Sequence, residues 1–143
     1  MSQAPKNVLF VCIGNSCRSP MAEGFMLACA GDRVGVYSAG THPAGVISQR
    51  TAQVMRERGI DLSRQRSKGL DEIDLPAMDI IVSMAGLPAE DLCPPDYRGE
   101  ALNWDVADPV GLPIAIHRMV RDDVEKRVRE LLQRIEEGSG GPV

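Results

Sequence analysis

Cys12 and Arg18 are the residues whose types and spacing point most directly to chemistry. They belong to the segment Cys12-Ile13-Gly14-Asn15-Ser16-Cys17-Arg18-Ser19, which follows the apolar run Asn7 to Cys12 and precedes Pro20-Met21-Ala22-Glu23. A tight turn of Gly, Asn and Ser aims backbone N–H groups inward and forms a nest for an anion. A helix starting just after it adds partial positive charge. The Arg18 guanidinium is a planar fork that matches two oxygens of a phosphate or arsenate. The same field favours a thiolate, so the Cys12 pKa is expected well below the free value of about 8.5. Ser19 is placed to donate a hydrogen bond to that sulfur. Gly14 and Asn15 suit positive φ, which a loop curling around an anion needs. Ile13, Gly14, Asn15, Ser16, Cys17 and Arg18 are therefore the candidate oxyanion-binding loop, with Cys12 as nucleophile toward a tetrahedral oxyanion. A cysteine at a strand end is by itself more often a small buried hydrophobe. The argument for chemistry rests on the whole order: apolar strand, Cys, Gly-Asn-Ser turn, Arg-Ser-Pro, helix.

The elements that must position this loop follow from periodicity. Asn7 to Cys12 reads as a strand buried on both faces. Pro20 to Ala30 reads as a helix, with Ser19 as N-cap, Pro20 at the first helical position and Gly31 as its end. Val34 to Ser38 is a second strand, closed by Ala39-Gly40. Val46 to Arg58 is expected to be helical, with Val46, Ile47, Val54 and Met55 on one face and Gly59 as its stop. Asp79 to Met84 is a third strand and Ala101 to Val106 a weaker fourth. Ile114 to Glu137 is a long amphipathic helix carrying Val120, Val124, Val128, Leu131 and Ile135 as its apolar stripe. Strands alternating with helices imply right-handed βαβ units and one parallel sheet. In such sheets ligands sit beyond the carboxyl ends of the strands. Ile13 to Ser19 leaves the first strand at that edge, and Asp105 to Asp108 leaves the fourth at the same edge.

The 143 residues suit a single α/β domain over 1–143, with 1–6 and 138–143 expected to be flexible. Hydrophobic content of 43% and charged content of 25% are ordinary for a globular chain. The net charge of −4 argues against nucleic acid or an anionic membrane as partner. No apolar run is long enough to span a bilayer, and Met1 to Lys6 does not read as a signal peptide, so a cytoplasmic location is expected. Cys12, Cys17, Cys29 and Cys93 contain no CxxC pair, and His42 and His117 have no partner pattern. No metal site and no disulfide scaffold are expected, and Cys29 reads as a core residue.

Val11-Cys12-Ile13-Gly14-Asn15-Ser16-Cys17-Arg18-Ser19-Pro20-Met21-Ala22-Glu23 resembles the signature of the low-molecular-weight protein tyrosine phosphatase superfamily, which includes one class of arsenate reductases. The likeness continues at Tyr37-Ser38-Ala39-Gly40-Thr41, at Asp79 to Met84 and at Trp104 to Pro109. It implies a four-stranded parallel sheet in the order 2-1-3-4, flanked by helices on both faces. It also implies that Asp108, in the one Asp-Pro of this chain, is the general acid that protonates the leaving oxygen. Asp105 is the fallback acid, and Trp104 is expected to pack near the site mouth.

Two enzyme chemistries fit this resemblance. A phosphatase forms a Cys12-phosphate and hydrolyses it. An arsenate reductase forms a Cys12–arsenate adduct, whose sulfur a second thiol then attacks to release arsenite. Ser16-Cys17-Arg18-Ser19 followed by Met21 to Phe25 looks closer to the reductase branch. Gly40 to Gly45 is short and carries no large aromatic, and Val110-Gly111-Leu112-Pro113 has none of the tyrosines that line a phosphotyrosine cleft. Asp91-Leu92-Cys93-Pro94 resembles the segment carrying the last thiol of thioredoxin-coupled reductases, which makes Cys93 the candidate resolving thiol. The further cysteine such enzymes place after the third strand is replaced here by Ala85-Gly86. Cys93, Cys17 or an external thiol must then serve, with thioredoxin, glutaredoxin or a small thiol as reductant. Lys68 stands where the superfamily's reductases carry an acid near a potassium ion, so no such ion is expected. A non-catalytic anion-binding regulator is a third reading, disfavoured because Cys12, Arg18 and Asp108 are all present.

Overall fold

The computed structural model describes residues 5–139, so the expected flexibility of 1–4 and 140–143 lies outside the described residues. Lys6 and Gly138 were expected in the flexible ends, but both lie within regular elements. Lys6 opens the first strand, paired with Val34, and Gly138 continues the last helix.

The chain runs β1 (Lys6–Cys12), α1 (Arg18–Ala30), β2 (Val34–Gly40), α2 (Gln49–Arg56), β3 (Ile80–Ser83), β4 (Glu100–Asn103) and α3 (Ile114–Ser139). The four strands are parallel and ordered β2-β1-β3-β4, as the resemblance implied. β1 is central because it is the most apolar strand: Val8, Leu9, Phe10 and Val11 have no solvent exposure. Side chains alternate across a strand. Val8, Phe10 and Cys12 therefore face a core built with Met21, Phe25, Met26, Val54, Met55 and the stripe Val120, Val124, Val128, Leu131 and Ile135 of α3. Leu9 and Val11 face a smaller cluster with Ala39, Met78 and Ile81. That second face is covered by short 3₁₀ turns at Leu70–Glu72, Leu75–Ala77 and Ala89–Leu92, with Leu70, Ile73, Leu75, Leu92 and Tyr97 packed against it. Each fully buried aliphatic or aromatic side chain contributes about 1.5–3 kcal/mol.

β4 ends at Asn103 rather than Val106, α2 at Arg56 rather than Arg58, and β3 is shorter by one residue at each end; three further differences bear on the site. α1 starts at Arg18 rather than Pro20, with Cys17 and not Ser19 at the N-cap, because the Cys17 carbonyl accepts from Met21 N–H at 3.1 Å. Pro20 is tolerated at the third helical position because N–H groups of a first turn have no intrahelical acceptor. β2 runs on through Ala39 to Gly40, so that Gly40 pairs with Cys12. α2 starts at Gln49, capped by the Ser48 hydroxyl accepting from Thr51 N–H, which leaves Val46 exposed outside it.

Candidate active site

The loop between β1 and α1 is shaped from outside. Its carbonyls at Cys12, Ile13, Gly14 and Ser16 accept from the N–H groups of Thr41, His42, Ala44 and Ser48 at 2.8–3.1 Å. The stretch after β2 thus claims the loop carbonyls. The amides of Gly14 to Arg18 have no protein acceptor among the described residues. This is the donor nest an oxyanion needs. The first turn of α1 contains no acidic residue to offset its positive end. Ser67 ties the two segments together: its hydroxyl donates to the Gly14 carbonyl at 2.9 Å and accepts from Gly45 N–H at 3.0 Å.

Positive φ occurs at Asn15 (48°) but not at Gly14, which corrects the expectation for that glycine. Asn15 takes the left-handed conformation because its side chain is held on every side. Oδ1 accepts from Lys68 N–H at 2.9 Å, and Nδ2 donates to Ser19 Oγ at 2.8 Å and to Ser38 Oγ at 3.0 Å. Ser38 donates onward to Glu23 at 2.5 Å. The glycine the loop does require is Gly40. A Cβ there would lie 2.6 Å from the Ile13 carbonyl oxygen and 2.8 Å from the Asn15 nitrogen.

Cys12 is almost fully buried. Its sulfur lies 3.0 Å from the Ser19 hydroxyl, which can donate to a thiolate, and accepts from the Ser19 amide at 3.4 Å. Arg18, only 6% exposed, spans three segments. Nη1 donates to the carbonyls of Met84 at 2.5 Å and Val106 at 3.1 Å, and Nη2 sits 3.5 Å from Asp108 Oδ2. Anchoring Nη1 leaves the Nε–Nη2 edge as the fork for two oxygens. Asp108 also accepts from Val110 N–H at 3.1 Å.

A cavity of about 230 Å³ lies over this cradle, lined by Cys12, Ile13, Arg18, Ala44, Asp108 and Val110 among others. Asp108 is the carboxylate in that lining. Asp105 lines a neighbouring cavity and not this one, together with Trp104, whose ring packs on Phe10 with centroids 5.7 Å apart. The structure thus gathers Cys12, Ile13, Gly14, Ser16, Cys17, Arg18 and Asp108 around one space, with Asn15 and Ser19 behind it. It does not bring Cys93 there. Cys93 packs against the cluster on the other face of the sheet, its thiol donating to the Ala89 carbonyl at 3.2 Å. Burial, and then Glu90, push its pKa up. Burial likewise pushes the Cys17 thiol up, opposed by the hydroxyls of Thr51 and Ser48, although Thr51 Oγ1 makes no hydrogen bond of normal geometry. Cys29 packs at the margin of the main core. Lys68 turns its amine to the Arg66 carbonyl. Among the described residues no cluster of His, Cys, Asp and Glu could hold a metal ion.

The sequence reading missed the supporting groups Glu23, Ser38, Gly40 and Ser67. Ser38 and Gly40 stood within a segment already noted for its resemblance; nothing in the pattern marked Ser67.

The model of the family described as low molecular weight phosphotyrosine protein phosphatase matches residues 7–139. The chain belongs to that family. Among its phosphatase-family relatives, an arsenate reductase of Halalkalibacterium halodurans is 39% identical over 132 residues, covering 87% of this chain and 93% of that one. A solved arsenate reductase in the phosphate binding state superposes with a TM-score of 0.81 at 32% identity, covering 91% of this chain and 98% of that one. The YwlE arginine phosphatase from Geobacillus stearothermophilus superposes with a TM-score of 0.82 at 28% identity, covering 94% and 95%. In this family, then, the Cys12 cradle sits on a frame shared by enzymes of both chemistries.

Proposed function

We propose that the protein is an arsenate reductase. The observation that carries the reading is the cavity over Cys12, walled by Ala44 and Val110, with no aromatic side chain among the described residues that line it. It has room for a tetrahedral oxyanion and offers no ring to sandwich an aryl group. The likeness to arsenate reductases over most of the chain supports the same choice.

In the proposed reaction arsenate occupies the loop amides and the Nε–Nη2 edge of Arg18, beside Asp108. The Cys12 thiolate attacks arsenic. Asp108 protonates the oxygen that leaves as water, and a Cys12–arsenate adduct results. A second thiol then attacks the Cys12 sulfur. The sulfur–arsenic bond breaks, its electron pair stays on arsenic, and arsenite leaves while a disulfide forms. That thiol is Cys93, if the Ala89–Leu92 turn opens, or an external donor: thioredoxin, glutaredoxin or a small thiol.

Phosphomonoester hydrolysis is the second reading, favoured by the Arg18–Asp108 arrangement, which serves a leaving alkoxide equally well, and by the arginine phosphatase likeness. Parallel assays separate the two: arsenite release from arsenate with added thiol, and phosphate release from an aryl phosphate. Arsenite release dependent on Cys12, with slow aryl phosphate turnover, is the expected result. Fast aryl phosphate hydrolysis with no arsenite formed would establish the phosphatase reading instead.

A further inference from the structure

Beside the oxyanion cradle lies a second cavity of about 530 Å³ that the chemistry at Cys12 leaves unused. Its apolar walls come from Met84, Leu87 and Trp104, and it shares Ile13, Arg18 and Asp108 with the cavity over Cys12. Ala85 and Gly86 face it with little or no side chain, which is why it is open. Its charged surroundings lean acidic: three carboxylates stand against Arg18 in the lining and Arg127 beside it, whose Nη2 donates to the Asp105 carbonyl at 3.1 Å. Asp105 and Asp108 line it, and Glu90 reaches Asn103 at its edge, 3.5 Å from Nδ2. Arg18 is the cation in the lining, and it is already held by two carbonyls and by Asp108.

We infer that this cavity seats the external thiol that resolves the Cys12 adduct, and that it selects a small neutral or cationic thiol over an anionic one. The inference rests on the arsenate reductase reading. The methylene skeleton of such a thiol packs on Trp104, Met84 and Leu87, while Asp105, Asp108 and Glu90 attract an ammonium and repel a carboxylate. The adduct adds negative charge beside them. The step balances as a two-electron transfer. The thiol sulfur bonds to Cys12 sulfur, the sulfur–arsenic bond breaks, and arsenic falls from +5 to +3. The thiol proton goes to the departing arsenite, and a mixed disulfide stays on Cys12. A second molecule of the same thiol exchanges with it, freeing Cys12 and a small disulfide.

The mixed disulfide can be reached without arsenate, which makes the site testable apart from the activity. The full chain is treated at low salt with cystamine, bis(2-hydroxyethyl) disulfide or 3,3′-dithiodipropionate, and modification of Cys12 is followed by peptide mass spectrometry. Rates are divided by those of a free cysteine peptide to remove intrinsic reactivity. The cationic and neutral reagents should exceed the anionic one by about tenfold or more. Asp105→Lys should erase or invert that order. Ala85→Leu should slow all three reagents while leaving inorganic phosphate binding intact. Equal corrected rates, or an order untouched by Asp105→Lys, would overturn the inference. The matching thiols are then compared as reductants of arsenate. Selectivity in exchange with no arsenite release from any thiol supports the cavity and removes the reductase reading; arsenite release without selectivity keeps that reading and removes the cavity.

Discussion

The sense of one hydrogen-bond chain decides what reaches the Cys12 sulfur. The Lys68 amide can only donate, so Asn15 must turn Oδ1 toward it and Nδ2 toward Ser19 and Ser38. Ser38 gives its proton to Glu23, and Ser19, whose oxygen is already an acceptor, has Cys12 Sγ as the partner for its own. Asn15→Ala removes the group that enforces this sense and also burdens a positive φ. Losing a buried network member costs about 1–3 kcal/mol, so alkylation of Cys12 at mildly acidic pH should slow by roughly tenfold or more; an unchanged rate would show that Ser19 needs no such orientation. The acid is assigned by the same kind of geometry. Asp108 lines the cavity over Cys12, and Asp105 does not. Asp108→Asn should slow aryl phosphate turnover by roughly 100- to 10,000-fold, with a smaller loss for good leaving groups. If Asp105→Asn produces that loss instead, the assignment moves to Asp105. At this scale the sequence was informative where chemistry fixes residue type, as at Cys12, Arg18 and Asp108. Glu23 stood in the quoted signature without a role, and Ser67 was unmarked, because a serine that braces a loop has no distinctive neighbours in the chain.

Element boundaries moved most where the site demanded it. Ala39-Gly40 looked like the close of β2, yet the strand continues so that Gly40 can lie against the loop with no side chain between. Val46 and Ile47 have helical spacing with Val54 and Met55, but the chain there is still passing the loop, and the helix waits for the Ser48 cap. Periodicity reports which residues are apolar; it does not report that backbone is reserved for another segment. Gly40→Ala would push backbone against backbone, so the loop itself must shift. A displacement of that size can cost about a hundredfold in rate, with overpacking costing about 1–3 kcal/mol in stability. Melting and steady-state rates should therefore both fall, and wild-type activity would mean that the loop yields without loss. α2 and α3 are joined by charge. Glu57 accepts from Arg118 at 2.8 Å and from Arg121 at 2.7 Å. Hydrogen bonds from Arg118, then Arg121, lower its pKa to about 2, from 4.5. A carboxylate whose folded pKa is depressed stabilises the fold fully above its unfolded pKa and loses that contribution as pH falls through the folded one. Thermal melting should drop between pH 4.5 and 2, and Glu57→Gln should flatten part of that drop while lowering stability at neutral pH. An identical acid profile in the variant would assign the transition to other carboxylates.

For the whole molecule the question is how a second thiol reaches Cys12. Cys12 ends β1 and Cys93 follows β3, but spacing does not say which face the later one occupies. The 3₁₀ turn Ala89–Leu92 carries Cys93 onto the face of Leu9 and Val11, whereas Cys12 belongs to the face of Val8 and Phe10. An in-chain route therefore requires the turn to release four ties: Ser83 Oγ to the Leu87 carbonyl at 2.6 Å, Ala89 N–H to Asn103 Oδ1 at 2.7 Å, Asn103 Nδ2 to Glu90 at 3.5 Å, and the Cys93 thiol to Ala89. Gly86, at φ 80°, is the natural pivot. The external route opens nothing. The two routes predict different behaviour of one variant. Without added thiol, a single turnover of arsenate should yield about one equivalent of arsenite and a Cys12–Cys93 disulfide, at a rate limited by opening of residues 86–93. Cys93→Ser should abolish that stoichiometric burst yet keep sustained turnover with a saturating small thiol, where mass spectrometry should find the mixed disulfide on Cys12. Hydrogen exchange in residues 86–93 should rise only in the thiol-free reaction. A burst that survives in Cys93→Ser would pass the resolving role to Cys17, and a loss of thiol-supported turnover in the same variant would make Cys93 obligatory to both routes.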